Sequence, residues 1–207
     1  YRELVKRFQK EAEEDILLVW EDNRLREFRH EVRDGSTVRF LTRKDPAGKR
    51  AYERSLLLLM NRALCALSGD AAAYDLRVYF SIGDGLFCRL AEKDLATQEF
   101  LDRLAQKMRE LAHRNLPIEK QTIHTQKAMQ IFHRRRMYDK EELLRYRISS
   151  FTNLYRLDGY EDYSYGYMLD RTGQLKEFAL SPYDDGFVLR CPKADGENLK
   201  APLRPDR

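Results

Sequence analysis

The chain has 207 residues, 43% of them apolar and 35% charged, which suits one large or two small folded domains and argues against disorder or a repeat array. Its 38 basic residues nearly cancel its 34 acidic ones, leaving a formal charge of +4, so charge balance gives no argument for a nucleic-acid partner. Cys65, Cys88 and Cys191 are scattered and odd in number, with no Cys-x-x-Cys pair, which argues against a disulfide framework and a structural zinc site. The longest strongly apolar run, Leu56 to Met60, is far shorter than the roughly 20 residues that span a bilayer. With no signal-peptide pattern at the charged N-terminus, the expected setting is cytoplasmic, without a membrane partner.

Leu4, Val5, Phe8 and Ala12 recur at helical spacing and predict a helix within 1–15. Ile16 to Trp20 reads as a short buried strand, Glu21-Asp-Asn23 as a turn, and Leu25 to Phe28 and Thr37 to Leu41 as strands. Asp45-Pro-Ala-Gly48 is a turn cluster and the first boundary, dividing the chain into 1–46, 47–192 and a 193–207 linker or tail. A helix follows through Leu67, then strands over Leu76 to Ile82 and Leu86 to Leu90 around a turn at Gly83-Asp-Gly85. Thr97 caps a long helix whose Leu101, Leu104, Met108 and Leu111 form one apolar face. Thr125 precedes a short helix carrying Ala128, Met129 and Phe132. Beyond Leu154 the density of Tyr, Gly and Asp predicts antiparallel hairpins, with strands over Leu175 to Leu180 and Gly186 to Arg190. The expected fold class is α+β.

Isolated chemical candidates are few. His113, His124 and His133 form no His-x-x-x-His pair and read as surface or capping residues, so no metal is expected. The run His133-Arg-Arg-Arg136, with Lys140, Arg145 and Arg147 downstream, is interrupted by Asp139, Glu141 and Glu142 and reads as a solvated helix end. Cys88 has no cation or histidine beside it in sequence and reads as a small core residue. No Gly-x-x-x-x-Gly-Lys-Ser/Thr occurs, so P-loop chemistry is excluded from this stretch. Tyr155, Tyr160, Tyr163, Tyr165 and Tyr167 crowd one segment, where strand packing selects tyrosine as readily as ligand stacking does.

Four segments carry a family resemblance: Tyr52-Glu-Arg-Ser-Leu-Leu-Leu-Leu-Met60, Tyr79-Phe-Ser-Ile-Gly-Asp-Gly-Leu-Phe-Cys88, Gln106 to Pro117, and Thr172-Gly-Gln-Leu-Lys-Glu-Phe-Ala-Leu180. In order and spacing they resemble the editing module of threonyl-tRNA synthetases. The resemblance implies a ubiquitin-like (TGS, β-grasp) segment at 1–46 lacking its first hairpin, then the synthetase's second additional domain at 47–192. In that family two histidines at i and i+4 share a helix face and a Cys-x-x-x-His forms the opposite wall, as convergence on one metal or substrate requires. Anchoring on Ser55 puts Arg54 and Leu58 at the histidine positions. Anchoring on Thr172, Gly173 and Phe178 puts Ser164 and Met168 at the Cys and His positions. Arginine is no base or metal ligand at neutral pH, leucine has no lone pair, and serine and methionine are poor substitutes. The resemblance therefore implies a vestigial pocket of Arg54, Leu58, Ser164 and Met168 with no catalytic residue and no metal.

Tyr52-Glu-Arg-Ser-Leu56, Met168-Leu-Asp-Arg-Thr-Gly173 and Gly186-Phe-Val-Leu-Arg-Cys-Pro192 further resemble the N-terminal region of bacterial nucleoside kinases of the uridine kinase and phosphoribulokinase type. This implies a noncatalytic accessory or ligand-sensing region whose partner is its own downstream kinase domain, where ATP and Mg²⁺ would belong. The alternative is a deacylase that removes a mischarged amino acid from tRNA. For Arg54 the simpler expectation is a salt bridge to Glu53 or Asp162. The other is a small anionic ligand held by Arg54 in a cleft rimmed by Tyr163, Tyr165 and Tyr167.

Overall fold

The computed structural model describes residues 1–70, 73–83 and 85–191; Asp84, Pro192 and the 193–207 tail lie outside it. The described residues form a mixed α+β structure with three antiparallel sheets.

Helix α1 (Arg2–Phe8) stops short of Ala12. The Gln9 side-chain amide ends it, donating to the Glu14 carbonyl at 2.9 Å and accepting the Ile16 N–H at 2.8 Å, which turns the chain into the first sheet. That sheet has the order β2-β1-β3, from β1 (Leu18–Glu21), β2 (Arg24–Arg26) and β3 (Val38–Leu41). Asp22 and Asn23 take φ of 43° and 63°, the twist a two-residue hairpin requires and one that short polar side chains tolerate. Successive strand residues face opposite ways. Val19 accordingly joins Tyr1, Val5, Ile16 and Phe28 in a small core, while Leu18, with Leu17 and Leu41, enters the main core. The 1–46 segment is thus sealed onto the rest of the chain by shared apolar packing.

Asp45 and Pro46 open a helix instead of forming a turn. Pro46 is the first residue of α2 (Pro46–Ser68), where its fixed φ suits the helix and its missing N–H costs nothing. The Asp45 carboxylate instead accepts the Thr42 N–H at 2.9 Å, closing the link from β3. Gly69, at φ 78°, ends α2 and returns its N–H to the Cys65 carbonyl at 2.9 Å. Leu56, Leu59, Met60 and Ala63 are fully buried along α2, which packs on α3 (Gln98–His113). The Thr97 hydroxyl caps α3 by accepting the Phe100 N–H at 3.3 Å, and Leu101, Leu104 and Met108 of the expected apolar face are fully buried.

The remaining strands are β4 (Arg77–Ile82), β5 (Gly85–Arg89), β6 (Glu119–His124), β7 (Phe151–Leu157), β8 (Tyr160–Tyr163), β9 (Ala179–Tyr183) and β10 (Gly186–Arg190). They form a four-stranded sheet, β4-β5-β10-β9, and a three-stranded one, β6-β7-β8. Between β6 and β7 run α4 (Thr125–Arg134) and α5 (Tyr138–Arg145). Helix α2 packs against β7 and β8, and α3 against β9.

Three local expectations change. Strand β6 went unread because it is an edge strand with only Ile123 buried, so it has no apolar alternation. Thr125 lies within α4, and its hydroxyl donates to the Ser149 carbonyl at 2.7 Å. The strand expected from Leu175 begins at Ala179, because Thr172–Gln174 form a 3₁₀ turn fastened to the exit of α3. The Thr172 hydroxyl donates to the Leu111 carbonyl and accepts the Leu116 N–H, each at 2.8 Å.

Candidate functional site

Arg54 and Leu58, one helical turn apart on α2, face Ser164 and Met168 on the stretch after β8 across a cleft of about 270 Å³. Leu57, Leu76, Val78, Leu143, Asp162 and Tyr163 help to line it, with Asn61, Asp139 and Lys140.

Two buried acceptors hold the 164–169 wall. The Ser55 hydroxyl, fully buried, donates to the Ala51 carbonyl at 2.7 Å and accepts the Leu169 N–H at 2.9 Å. The Glu27 carboxylate accepts the Met168 N–H at 3.0 Å and lies 2.7 Å from the Tyr155 hydroxyl. Glu27 is 1% exposed, and Arg29 at 3.1 Å and Lys120 at 3.5 Å balance its charge. Burial, then Glu27, pushes the Tyr155 hydroxyl well above its ordinary pKa, so it stays a donor. Sequence reading missed both anchors. The available signals were a hydroxyl inside a leucine-rich helix and a carboxylate between Leu25 and Phe28.

Arg54 departs from the simpler expectation. Among the described residues no carboxylate lies within 4.0 Å of it and no acceptor bonds it, so neither Glu53 nor Asp162 is its partner. Adjacent helical residues do not face each other, and Glu53 points to Lys49 at 4.0 Å, with burial raising its carboxyl pKa. Asp162 takes Lys140 at 2.5 Å and the Tyr163 N–H at 2.7 Å. The Arg54 guanidinium instead sits 5.1 Å over the Tyr165 ring and against Gly166, where a Cβ would come within 2.3 Å of its central carbon. This packing fixes the planar group and leaves its N–H fork open.

The three expected rim tyrosines separate. Tyr163 lines the cleft with Arg147 stacked on its ring, Tyr165 is 77% exposed beside Arg54, and Tyr167 turns away toward Lys120. Tyr167 leaves the cleft because the chain bends at Tyr165 and Gly166 beyond the end of β8, and Lys120 offers a cation on its side.

Elsewhere, His133 meets Glu141 at 2.8 Å and His124 stacks on Phe151. Among the described residues no three His, Cys, Asp or Glu side chains converge as a metal-binding group. Much of the basic run is neutralised locally, with Arg135 on Glu161 at 3.0 Å and Arg145 on Glu142 at 3.4 Å. Cys88 is fully buried, and burial pushes its thiol up to about 12. A larger cavity of about 850 Å³ lies between α1, the end of α3 and residues 170–176, and no sequence-predicted site residue lines it. Most of its cations are paired, Arg2 with Asp170 at 2.8 Å, Lys6 with Glu3 at 2.8 Å and Lys176 with Asp15 at 3.7 Å, while Arg171 donates to the neutral Asn115 amide oxygen at 3.1 Å.

The Arg54 cleft sets a guanidinium beside an apolar wall. Its four aligned residues offer no general base and no nucleophile with a base beside it. No described helix is long and apolar enough to cross a membrane.

No protein-family profile matches the chain. The chain is similar to threonine–tRNA ligases: 26% identical over 155 residues to that of Syntrophotalea carbinolica, covering 72% of the chain and 23% of the ligase. Identity is 27% over 146 residues to the Coxiella burnetii ligase, 70% of the chain and 22% of the ligase. With the Thermotoga neapolitana ligase it is 27% over 160 residues, 77% of the chain and 24% of the ligase. The chain thus spans less than a quarter of the length of these relatives, and its similarity is to one region of a tRNA ligase.

Proposed function

We propose that this chain is a threonine–tRNA-ligase-like binding module that holds a small anionic ligand in the Arg54 cleft without hydrolysing aminoacyl-tRNA. The carrying observation is Arg54 itself: a fixed guanidinium with no carboxylate partner among the described residues, on the wall of a cleft whose aligned positions are Leu58, Ser164 and Met168. The test is calorimetric titration of phosphate, nucleoside monophosphates and carboxylates into the chain and an Arg54→Ala variant, with an assay for amino acid released from charged tRNA. Arg54-dependent heat without release supports the reading; no Arg54-dependent binding, or release, overturns it.

The wider proposal is that this module precedes a cytoplasmic nucleoside kinase domain, its natural partner, which would bind ATP and Mg²⁺. That half rests on the motif replacements Tyr52 to Leu56, Met168 to Gly173 and Gly186 to Pro192 alone. Reading the natural coding sequence beyond Arg207 for a Gly-x-x-x-x-Gly-Lys-Ser/Thr loop tests it. The second reading, a tRNA-editing deacylase, is favoured by the name shared by the similar ligases, and the same release assay decides it.

A further inference from the structure

We infer that the ligand of the Arg54 cleft is a small monocarboxylate with a branched apolar body, the chemistry shared by aliphatic amino acids and their 2-oxo analogues. This rests on the anion-binding reading above and narrows it from three observations.

The first is charge. Among the described residues the charged ones lining the cleft are Arg54, Lys140, Asp139 and Asp162, two cations against two anions. Lys140 is already paired with Asp162. A phosphate dianion would bring two negative charges beside Asp139 and the Lys140–Asp162 pair, whereas a single carboxylate brings one and meets the Arg54 guanidinium. Arg54 packs on Tyr165 and against Gly166, and a planar guanidinium fork suits a bidentate carboxylate.

The second observation is the apolar lining beside that charge. Leu57, Leu58, Leu76, Val78, Leu143 and Met168 surround the rest of the space. Val78 is 45% exposed and Leu143 59%, so two large apolar side chains stand open to solvent at the cleft mouth. An aliphatic body would remove that surface from water, at about 25 cal/mol for each Å² covered. Sugar hydroxyls laid against Val78 and Leu143 would lose water without gaining a partner from those two side chains.

The third is size. About 270 Å³ lies just below the roughly 300 Å³ at which pockets for drug-sized ligands begin. A branched acid with a handful of carbons fits within it. Asp139 has no ion-pair partner within 4.0 Å among the described residues and faces the same space, so it is placed to receive an ammonium if the ligand is an amino acid.

The experiment is titration calorimetry of the whole chain with leucine, 4-methyl-2-oxopentanoate and 4-methylpentanoate, against acetate, 4-methylpentanamide, inorganic phosphate and uridine monophosphate. The expected result is that at least one branched carboxylate binds tenfold or more tighter than acetate, the neutral amide and phosphate. That binding should fall tenfold or more in Arg54→Ala and severalfold in Leu143→Ser, a substitution at an exposed position. Gly166→Ala, which displaces the Arg54 side chain, should reproduce the loss with an unchanged circular dichroism spectrum. Asp139→Asn separates the sources, weakening leucine and sparing the oxo acid. Arg54-dependent binding of phosphate or uridine monophosphate as tight as any carboxylate overturns this inference and leaves the anion-binding reading standing. Failure of every anion to bind through Arg54 overturns both.

Discussion

The Glu27 carboxylate accepts the N–H of Met168 at 3.0 Å, joining residues 141 apart in sequence. Glu27 leaves the first sheet just after β2, and Met168 is a wall of the cleft, so the N-terminal segment shapes the candidate site directly. The same carboxylate binds the Tyr155 hydroxyl, whose oxygen also lies 3.0 Å from the Gly166 carbonyl beneath Arg54.

Replacing Glu27 with Gln should destabilise the chain by about 3–5 kcal/mol, because Arg29 and Lys120 lose the buried charge that balances them. Urea denaturation of the two proteins, compared at constant m-value, measures it. A loss under about 1 kcal/mol would mean the network is relaxed or solvated.

Ser55→Ala should cost about 1–3 kcal/mol, since it leaves the buried Leu169 N–H without its acceptor. Hydrogen exchange provides a more local reading. The Leu169 amide should lose protection in the variant while amides of α3 keep theirs.

Acid should weaken the first sheet through Glu21. The Tyr1 hydroxyl beside it and the Arg26 guanidinium at 2.9 Å hold its carboxyl at about 2, while burial pushes the Tyr1 hydroxyl up to about 12. A depressed carboxyl stabilises the fold fully above its unfolded pKa, about 4.3, and that contribution is lost as pH falls through the folded value. The melting-temperature difference between wild type and Glu21→Gln should therefore be constant above about pH 5 and shrink steadily toward about pH 2. A difference independent of pH in that window would remove Glu21 from the account.

Cys88 should resist alkylation at neutral pH in the native chain and react once urea unfolds it, because its thiol is buried and its pKa is raised to about 12. Mass spectrometry of iodoacetamide-treated protein identifies the labelled position. Rapid native labelling at Cys88 would contradict its place in the core.

Much of the local architecture was legible because it depends on neighbours in the chain. The apolar spacing of Leu101, Leu104, Met108 and Leu111 with Thr97 ahead of it specifies a capped helix wherever it packs. The i, i+4 spacing of Arg54 and Leu58 likewise puts them on one face before any tertiary contact is known. Pro46 and Gly48 illustrate the ambiguity of local signals, since proline and glycine read as a turn and yet Pro46 begins a helix. There Gly48 is needed because a Cβ would fall 1.9 Å from the Thr42 carbonyl oxygen, a contact no local pattern encodes.

What only the tertiary structure decided is how distant groups satisfy one another. Sequence offered Glu53 and Asp162 as partners for Arg54, and folding gave those acids to Lys49 and Lys140 instead. Glu27 had no visible purpose until burial required its charge to be balanced and brought it to Met168, Tyr155, Arg29 and Lys120. Periodicity and capping are properties of neighbouring residues and can be read in one dimension. The pairing of buried charges and the openness of a guanidinium depend on which segments meet, because desolvation is set by the whole fold.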